Sequence, residues 1–237
     1  METKLWFWKI CQKNGIEISD FQIELLDNFQ TLLLEWNKKI NLISRKNEQN
    51  IWSQHILASI AFHSSFKLRK QTSTLDLGTG GGLPGIPLAI LRPDIEVTLL
   101  DSIQKKMKAV EEIISILGLP NAKAVCGRAE EISKDKKYYC KFDYVIARAV
   151  ASANDIIKWG KPFLRSHKQY AVQVYLQQKQ ADIEPGSLIM LKGGELTKEI
   201  EEAKIKHRPR SILVHQIVLE GVEEADLTDK KLVIVKP

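Results

Sequence analysis

The chain has 237 residues, which at about 150 residues per domain is one full core plus a smaller appendage. Hydrophobic residues make up 44% and charged residues 27%, an ordinary globular composition that excludes disorder, collagen and fibrous repeats. Lys and Arg outnumber Asp and Glu by 35 to 29, a net charge of +6. Such a balance suits a polyanionic partner, although any single basic run reads equally well as a solvated face.

No stretch approaches the roughly 20 uninterrupted apolar residues that a bilayer span requires. The Leu5-Trp6-Phe7-Trp8 cluster stops at Lys9, too short for a signal-peptide core, so a cytoplasmic protein without membrane attachment is expected. Cys11, Cys126 and Cys140 show no CxxC spacing. They predict reduced thiols and neither a disulfide framework nor a metal site.

Residues 1–70 hold ten Lys/Arg against seven Asp/Glu and read as helical. After Ser19-Asp20, a plausible N-cap pair, Phe21, Leu25, Phe29, Leu32, Leu33, Trp36 and Ile40 recur at three- and four-residue spacing, which predicts one buried helical stripe. A second helix is predicted over 51–63, and the basic, polar stretch 67–73 marks a boundary between a helical region, 1–70, and a second domain, 71–237. From residue 74 the pattern changes to short apolar runs alternating with helical ones. Strands are predicted at 74–77, 95–100, 122–126, 142–147 and 187–191, with helices at 86–91, 102–117 (capped by Ser102 and closed by Gly118), 153–164 and 196–206. Runs 212–219 and 231–235 read as an antiparallel pair. The alternation predicts an α/β fold, a Rossmann-like doubly wound sheet, mostly parallel with an antiparallel C-terminal strand.

The sharpest signal is Asp76-Leu77-Gly78-Thr79-Gly80-Gly81-Gly82-Leu83-Pro84-Gly85 between the first strand and the first helix of the second domain. Glycines there let the chain turn sharply and let a ligand approach the main chain. Gly80, Gly82 and Gly85 also satisfy GxGxxG, so a dinucleotide remains possible. Asp101, about twenty residues on, suits a ribose hydroxyl under either reading. Asp76 discriminates between them. A pyrophosphate is disfavoured beside a carboxylate, whereas S-adenosylmethionine carries an ammonium and a sulfonium. The alternative for Asp76 is a carboxylate that caps the loop amides.

Trp36-Asn37-Lys38-Lys39-Ile40-Asn41-Leu42, His55-Ile56-Leu57-Ala58-Ser59, the glycine loop, Leu100-Asp101-Ser102, Arg128-Ala129-Glu130-Glu131, Ala147-Arg148-Ala149 and Leu191-Lys192-Gly193 follow one another in an order that resembles the small-subunit ribosomal RNA guanine-N7 methyltransferases, also called glucose-inhibited division protein B. The resemblance covers most of the chain. It implies a class I S-adenosylmethionine-dependent methyltransferase acting on N7 of one guanine near the decoding site of 16S ribosomal RNA, in the small subunit or an assembly precursor. It further implies cofactor contacts at Gly78, Leu83, Ala129, Glu130 and Arg148. Asp76, Gly80 and Asp101 join them from the reading above. Arg148, at the end of the fourth strand, can hold the cofactor carboxylate or an RNA phosphate, and Lys192 is placed similarly. RNA recognition is expected from the N-terminal helices and from Lys204, Lys206, Arg208 and Arg210, read as flanking the carboxyl ends of the strands.

Two departures from the family stand out. Ala58 replaces the acidic residue usual before the serine, and 168–186 looks longer than the usual link. Guanine N7 bears a lone pair and no proton, so no side chain is expected to act as a general base. The alternatives are a class I methyltransferase with another substrate and a ribosome assembly factor that binds RNA and keeps a vestigial cofactor pocket.

Overall fold

Apolar strands buried on both faces demand helices on both sides of a largely parallel sheet. The computed structural model describes residues 3–44, 48–148, 150–166, 183–222 and 229–237, and it has this architecture. Strands β1 (Ser73–Leu77), β2 (Glu96–Asp101), β3 (Ala122–Cys126), β4 (Tyr144–Arg148), β5 (Ser187–Gly193), β6 (Ser211–Gln216) and β7 (Lys230–Lys236) form one sheet in the order β3-β2-β1-β4-β5-β7-β6. All neighbours from β3 to β5 are parallel, while β7 runs antiparallel to both β5 and β6. The order reverses between β1 and β4, and ligands of open α/β sheets bind outside the carboxyl ends of the strands at such a switch point.

Thr3 caps α1 (Lys4–Lys13). Ser19 and Gln22 close a reciprocal capping box on α2 (Asp20–Asn37), so the expected cap lies at Ser19. The expected stripe is rotated, however. Ile23, Leu26, Phe29 and Leu33 are buried and Phe21 is 72% exposed. Long-range bonds set that rotation: Gln22 Nε2 donates to the carbonyls of Ile90 and Leu91 at 2.7 and 3.0 Å. The helix predicted over 51–63 is instead a composite of a π-helical stretch Trp52–Leu57, one turn α3 (Ala58–Ile60) and a 3-10 turn Ala61–Ser64.

After β1 come α4 (Gly85–Leu91), buried throughout, and α5 (Gln104–Leu117), which ends on left-handed Gly118 at φ 61°. Ser102 does not cap α5. The Asp101 carboxylate accepts from Ile103 N at 2.9 Å and makes the turn. Helices α6 (Ala129–Ile132), α7 (Ala153–Gly160) and α8 (Thr197–His207) follow among the described residues.

On one sheet face the N-terminal helices share a single core with α4 and α5. On the other, α7 and α8 pack on β1, β4, β5 and β7. The N-terminal region also touches the C-terminal one, where the Asn14 amide and the Glu220 backbone exchange hydrogen bonds at 2.8 and 3.1 Å. Most of the unusually long link, residues 168–182, lies outside the described residues. Among the described residues, no helix is long and apolar enough to cross a membrane.

Candidate active site

The glycines after β1 adopt conformations that only glycine takes cheaply: Gly78, Gly80 and Gly82 have φ of 74°, 58° and 89°. The turn is stitched back to β2 where Gly78 N and Thr79 N donate to Leu100 O at 2.8 and 3.0 Å. Gly81 is needed for a different reason, since a Cβ there would lie 2.9 Å from Leu33 Cδ1 and 3.1 Å from Leu42 Cβ. The N-terminal helical region therefore rests directly on the loop.

Asp76 is fully buried, with Oδ2 accepting from Thr79 Oγ1 at 2.6 Å and from Gly85 N at 2.8 Å. It caps the loop from beneath. This is the capping arrangement that the sequence offered as the alternative for Asp76, while its Oδ1 is buried without a hydrogen-bond partner among the described residues. Burial pushes its carboxyl up to about 7, against the opposing pull of those two hydrogen bonds and the Arg148 charge. Leu83 is likewise buried, its amide donating to Thr79 O.

Asp101, in contrast, is half-exposed, and it bridges two loops by accepting from Gly80 N at 3.0 Å and from Ile103 N at 2.9 Å. Register sets it beside Cys126 at the end of β3, and Gly127 N donates to Asp101 O at 3.0 Å. The turn that opens α6 is thereby held against it, leaving Ala129 half-buried and Glu130 exposed. Gly78, Gly80, Asp101, Ala129 and Glu130 thus converge at the carboxyl ends of β1 to β3.

Arg148 ends β4, half-buried. Its Nη1 donates to His55 O at 2.9 Å and Ser59 Oγ at 3.3 Å, and its Nη2 donates to His55 Nδ1. Burial pulls the guanidinium down to about 10, so it stays cationic at neutral pH, and the His55 ring is pulled to about 3 by burial and then by the charges of Arg148 and Lys230. Lys192 is committed elsewhere. Its ammonium donates to Ala151 O at 2.8 Å and pairs with Glu199 Oε1 at 2.7 Å, with only 11% of the side chain exposed. A lysine so held is a tie between β5 and α8.

The basic cluster calls for a correction. Lys204, Lys206, Arg208 and Arg210 are exposed, but Ser211 is paired with Lys236, and Leu188, at the start of β5, with Val235. Since β6 runs parallel to β5 across β7, helix α8 carries the chain back to the amino end of the sheet. The cluster therefore lies at the end opposite the glycine loop, about 20 Å away for strands of this length. Sequence reasoning singled out Arg148 and His55 but not their bond, nor Ser59 and Glu199 as partners. No local pattern signals contacts between elements so far apart in the chain.

A parallel sheet with β7 inserted antiparallel, a glycine loop after β1 and an acid ending β2 define a class I S-adenosylmethionine-dependent methyltransferase. A methyltransferase described as S-adenosylmethionine-dependent, from Aquifex aeolicus, shares the fold at a TM-score of 0.53 and 12% identity, over 86% of this chain and 97% of that one. The profile of GidB, rRNA small subunit methyltransferase G, matches residues 22–184. Ribosomal RNA small subunit methyltransferase G of Alkaliphilus metalliredigens is 34% identical over 94% of this chain and 92% of its own length. That of Bacteroides fragilis is 38% identical over 96% and 98%. The chain belongs to the rRNA small subunit methyltransferase G family, and its methyl donor is S-adenosylmethionine.

Proposed function

We propose that the protein transfers the methyl group of S-adenosylmethionine to N7 of a guanine near the decoding site of 16S ribosomal RNA, within the small subunit or an assembly precursor, in the cytoplasm. Family membership along most of the chain carries this reading. The cofactor, when bound, supplies a methyl group activated by its sulfonium.

The residues fit that cofactor. Gly78 and Gly80 offer half-buried backbone without Cβ atoms, and Asp101 offers a half-exposed carboxylate for a ribose hydroxyl. Ala129 and Glu130 close the far side. Arg148 presents a cation for the cofactor carboxylate or an RNA phosphate. Asp76 and Leu83 act indirectly, by fixing the loop.

N7 carries an in-plane lone pair and no proton, and positive charge passes from sulfur to the purine, so net charge is conserved. Little new charge needs stabilising, and positioning is the main contribution the protein makes. No residue is assigned as a general base. His55 is neutral and bonded to Arg148.

The test is incubation of the protein and labelled S-adenosylmethionine with small subunits from a strain lacking the enzyme, followed by mapping of the labelled nucleotide. Label at guanine N7 in the decoding region supports the reading. Label on another base, on protein, or nowhere overturns it.

A further inference from the structure

The guanidinium of Arg148 is held by a three-point clamp whose members all come from the N-terminal helical region: the His55 carbonyl, the His55 ring and the Ser59 hydroxyl. The clamp is preassembled. Ser59 Oγ donates to His55 O at 2.6 Å, Ser59 is fully buried and His55 only 6% exposed. His55 lies within the π-helical stretch and Ser59 in the turn that follows it, flanking the point where Ala58 N–H reaches back five residues to Ser53 O. Wide turns of this kind recur at functional sites.

The protonation of the clamp follows from donor and acceptor chemistry. Arginine can only donate, so Nδ1 of His55 must accept, and the ring is neutral with its proton on Nε2. Every group that grips Arg148 is therefore uncharged, and among the described residues Arg148 makes no ion pair. A structural arginine held in the interior is ordinarily paired with a carboxylate, and the half-buried Arg148 keeps its guanidinium among the buried groups of His55 and Ser59. Here the cation is oriented by neutral groups, and the one carboxyl that raises its pKa, Asp76, is not within ion-pair distance among the described residues. The proton-bearing Nε2 of His55 is also buried without an acceptor among the described residues, which is costly unless something completes it.

We infer that His55 and Ser59 are positioning residues for the methyl-transfer site: they aim Arg148 while leaving its charge free for the anionic group of an incoming ligand. Resting on the placement of Arg148 at that site, this inference gives the N-terminal helical region a direct part in ligand binding. His55 acts through Arg148 and needs no protonation change.

The experiment is a double-mutant cycle of His55→Ala and Arg148→Ala, read by calorimetric binding of S-adenosylmethionine and by single-turnover methylation of small subunits, with thermal melting of each variant alongside. The expected result is that His55→Ala weakens binding or slows turnover about tenfold, the scale of one hydrogen bond to a charged group. In the Arg148→Ala background the same substitution should cost nothing further, and His55→Asn, whose Oδ1 replaces the Nδ1 acceptor, should restore most of the loss. Equal losses from His55→Ala in both backgrounds would assign the histidine to general packing and overturn the inference. So would a loss that tracks melting temperature across His55→Ala, His55→Asn and Ser59→Ala. If Arg148→Ala changes neither readout, the placement of Arg148 at the site is wrong and the inference falls with it. Calorimetry needs no RNA, so a failure of the guanine assignment alone leaves the cycle intact.

Discussion

The carboxyl end of the sheet divides into two halves that use charge differently. Asp76 and Asp101, ending β1 and β2, spend their oxygens on the backbone of nearby turns: Asp76 on Gly85 N and the Thr79 hydroxyl, Asp101 on Gly80 N and Ile103 N. Arg148 and Lys192, ending β4 and β5, reach to other elements, the first to His55 and Ser59 and the second to Ala151 and Glu199. The acids shape loops and the bases join layers. On the acidic half a substitution should change how a ligand is met. On the basic half it should also change how the molecule holds together.

The largest effect is expected where an acid both shapes a loop and faces the ligand. Asp101→Ala should weaken S-adenosylmethionine binding by about 1.5–3 kcal/mol, the range for hydrogen bonds to charged groups, which calorimetry would register. An unchanged affinity would reduce Asp101 to a turn residue and merge it with Asp76.

Next is the tie between β5 and α8. Lys192→Met leaves Glu199 mostly buried and still accepting from Ala153 N, but without its cation, and should destabilise the protein by about 2 kcal/mol. Chemical denaturation measures this. A variant of full stability with impaired RNA binding would return Lys192 to the substrate side.

Asp76→Asn sharpens the contrast through pH. The folded carboxyl sits near 7 against a reference of 3.8, so between those values the unfolded chain releases its proton first. Stability contributed by the protonated form is complete below about 3.8, declines as pH rises and is lost above about 7, with a slope of at most about 1.4 kcal/mol per pH unit. Asparagine keeps an oxygen for Thr79 and Gly85 and should flatten that decline. Parallel stability curves for the two proteins would mean that Asp76 is not held protonated.

The smallest effect belongs to the opposite end of the sheet. Neutralising Lys204, Lys206, Arg208 and Arg210 together should leave cofactor affinity unchanged and reduce the salt dependence of RNA binding, by up to about 0.9 in log–log slope per lost duplex phosphate contact. An unaltered slope would make the cluster a solvated face.

What could be read from sequence follows the same division. Strand runs, the glycine loop, the Ser19 cap and the Gly118 stop depend on neighbours within a few residues, and the structure has them all. The rotation of α2, by contrast, depends on bonds from Gln22 to α4, and Ser102 lost its capping role to the adjacent Asp101. The position of the basic cluster depended on strand direction. Lys204 to Arg210 can flank the cofactor end only if α8 fails to return, yet insertion of β7 makes β6 parallel to β5 and forces the return. The two readings of Asp76, toward a ligand or capping the loop, could not be separated from sequence, because its spacing to Gly85 is visible there and its burial is not.

The exchange of hydrogen bonds between Asn14 and Glu220 spans 206 positions, and this has a consequence for synthesis. At about 5–20 residues per second, the first helix leaves the ribosome about 10–40 s before its partner segment is made. During that interval Phe7, Ile10 and Cys11 have yet to meet Ile217 and Leu219, members of the same core. Phe7 can pack on Trp52 early, but the part of the core closed by Ile217 and Leu219 stays open until those residues are made, so a holding chaperone or a neighbouring polysome chain can compete for it.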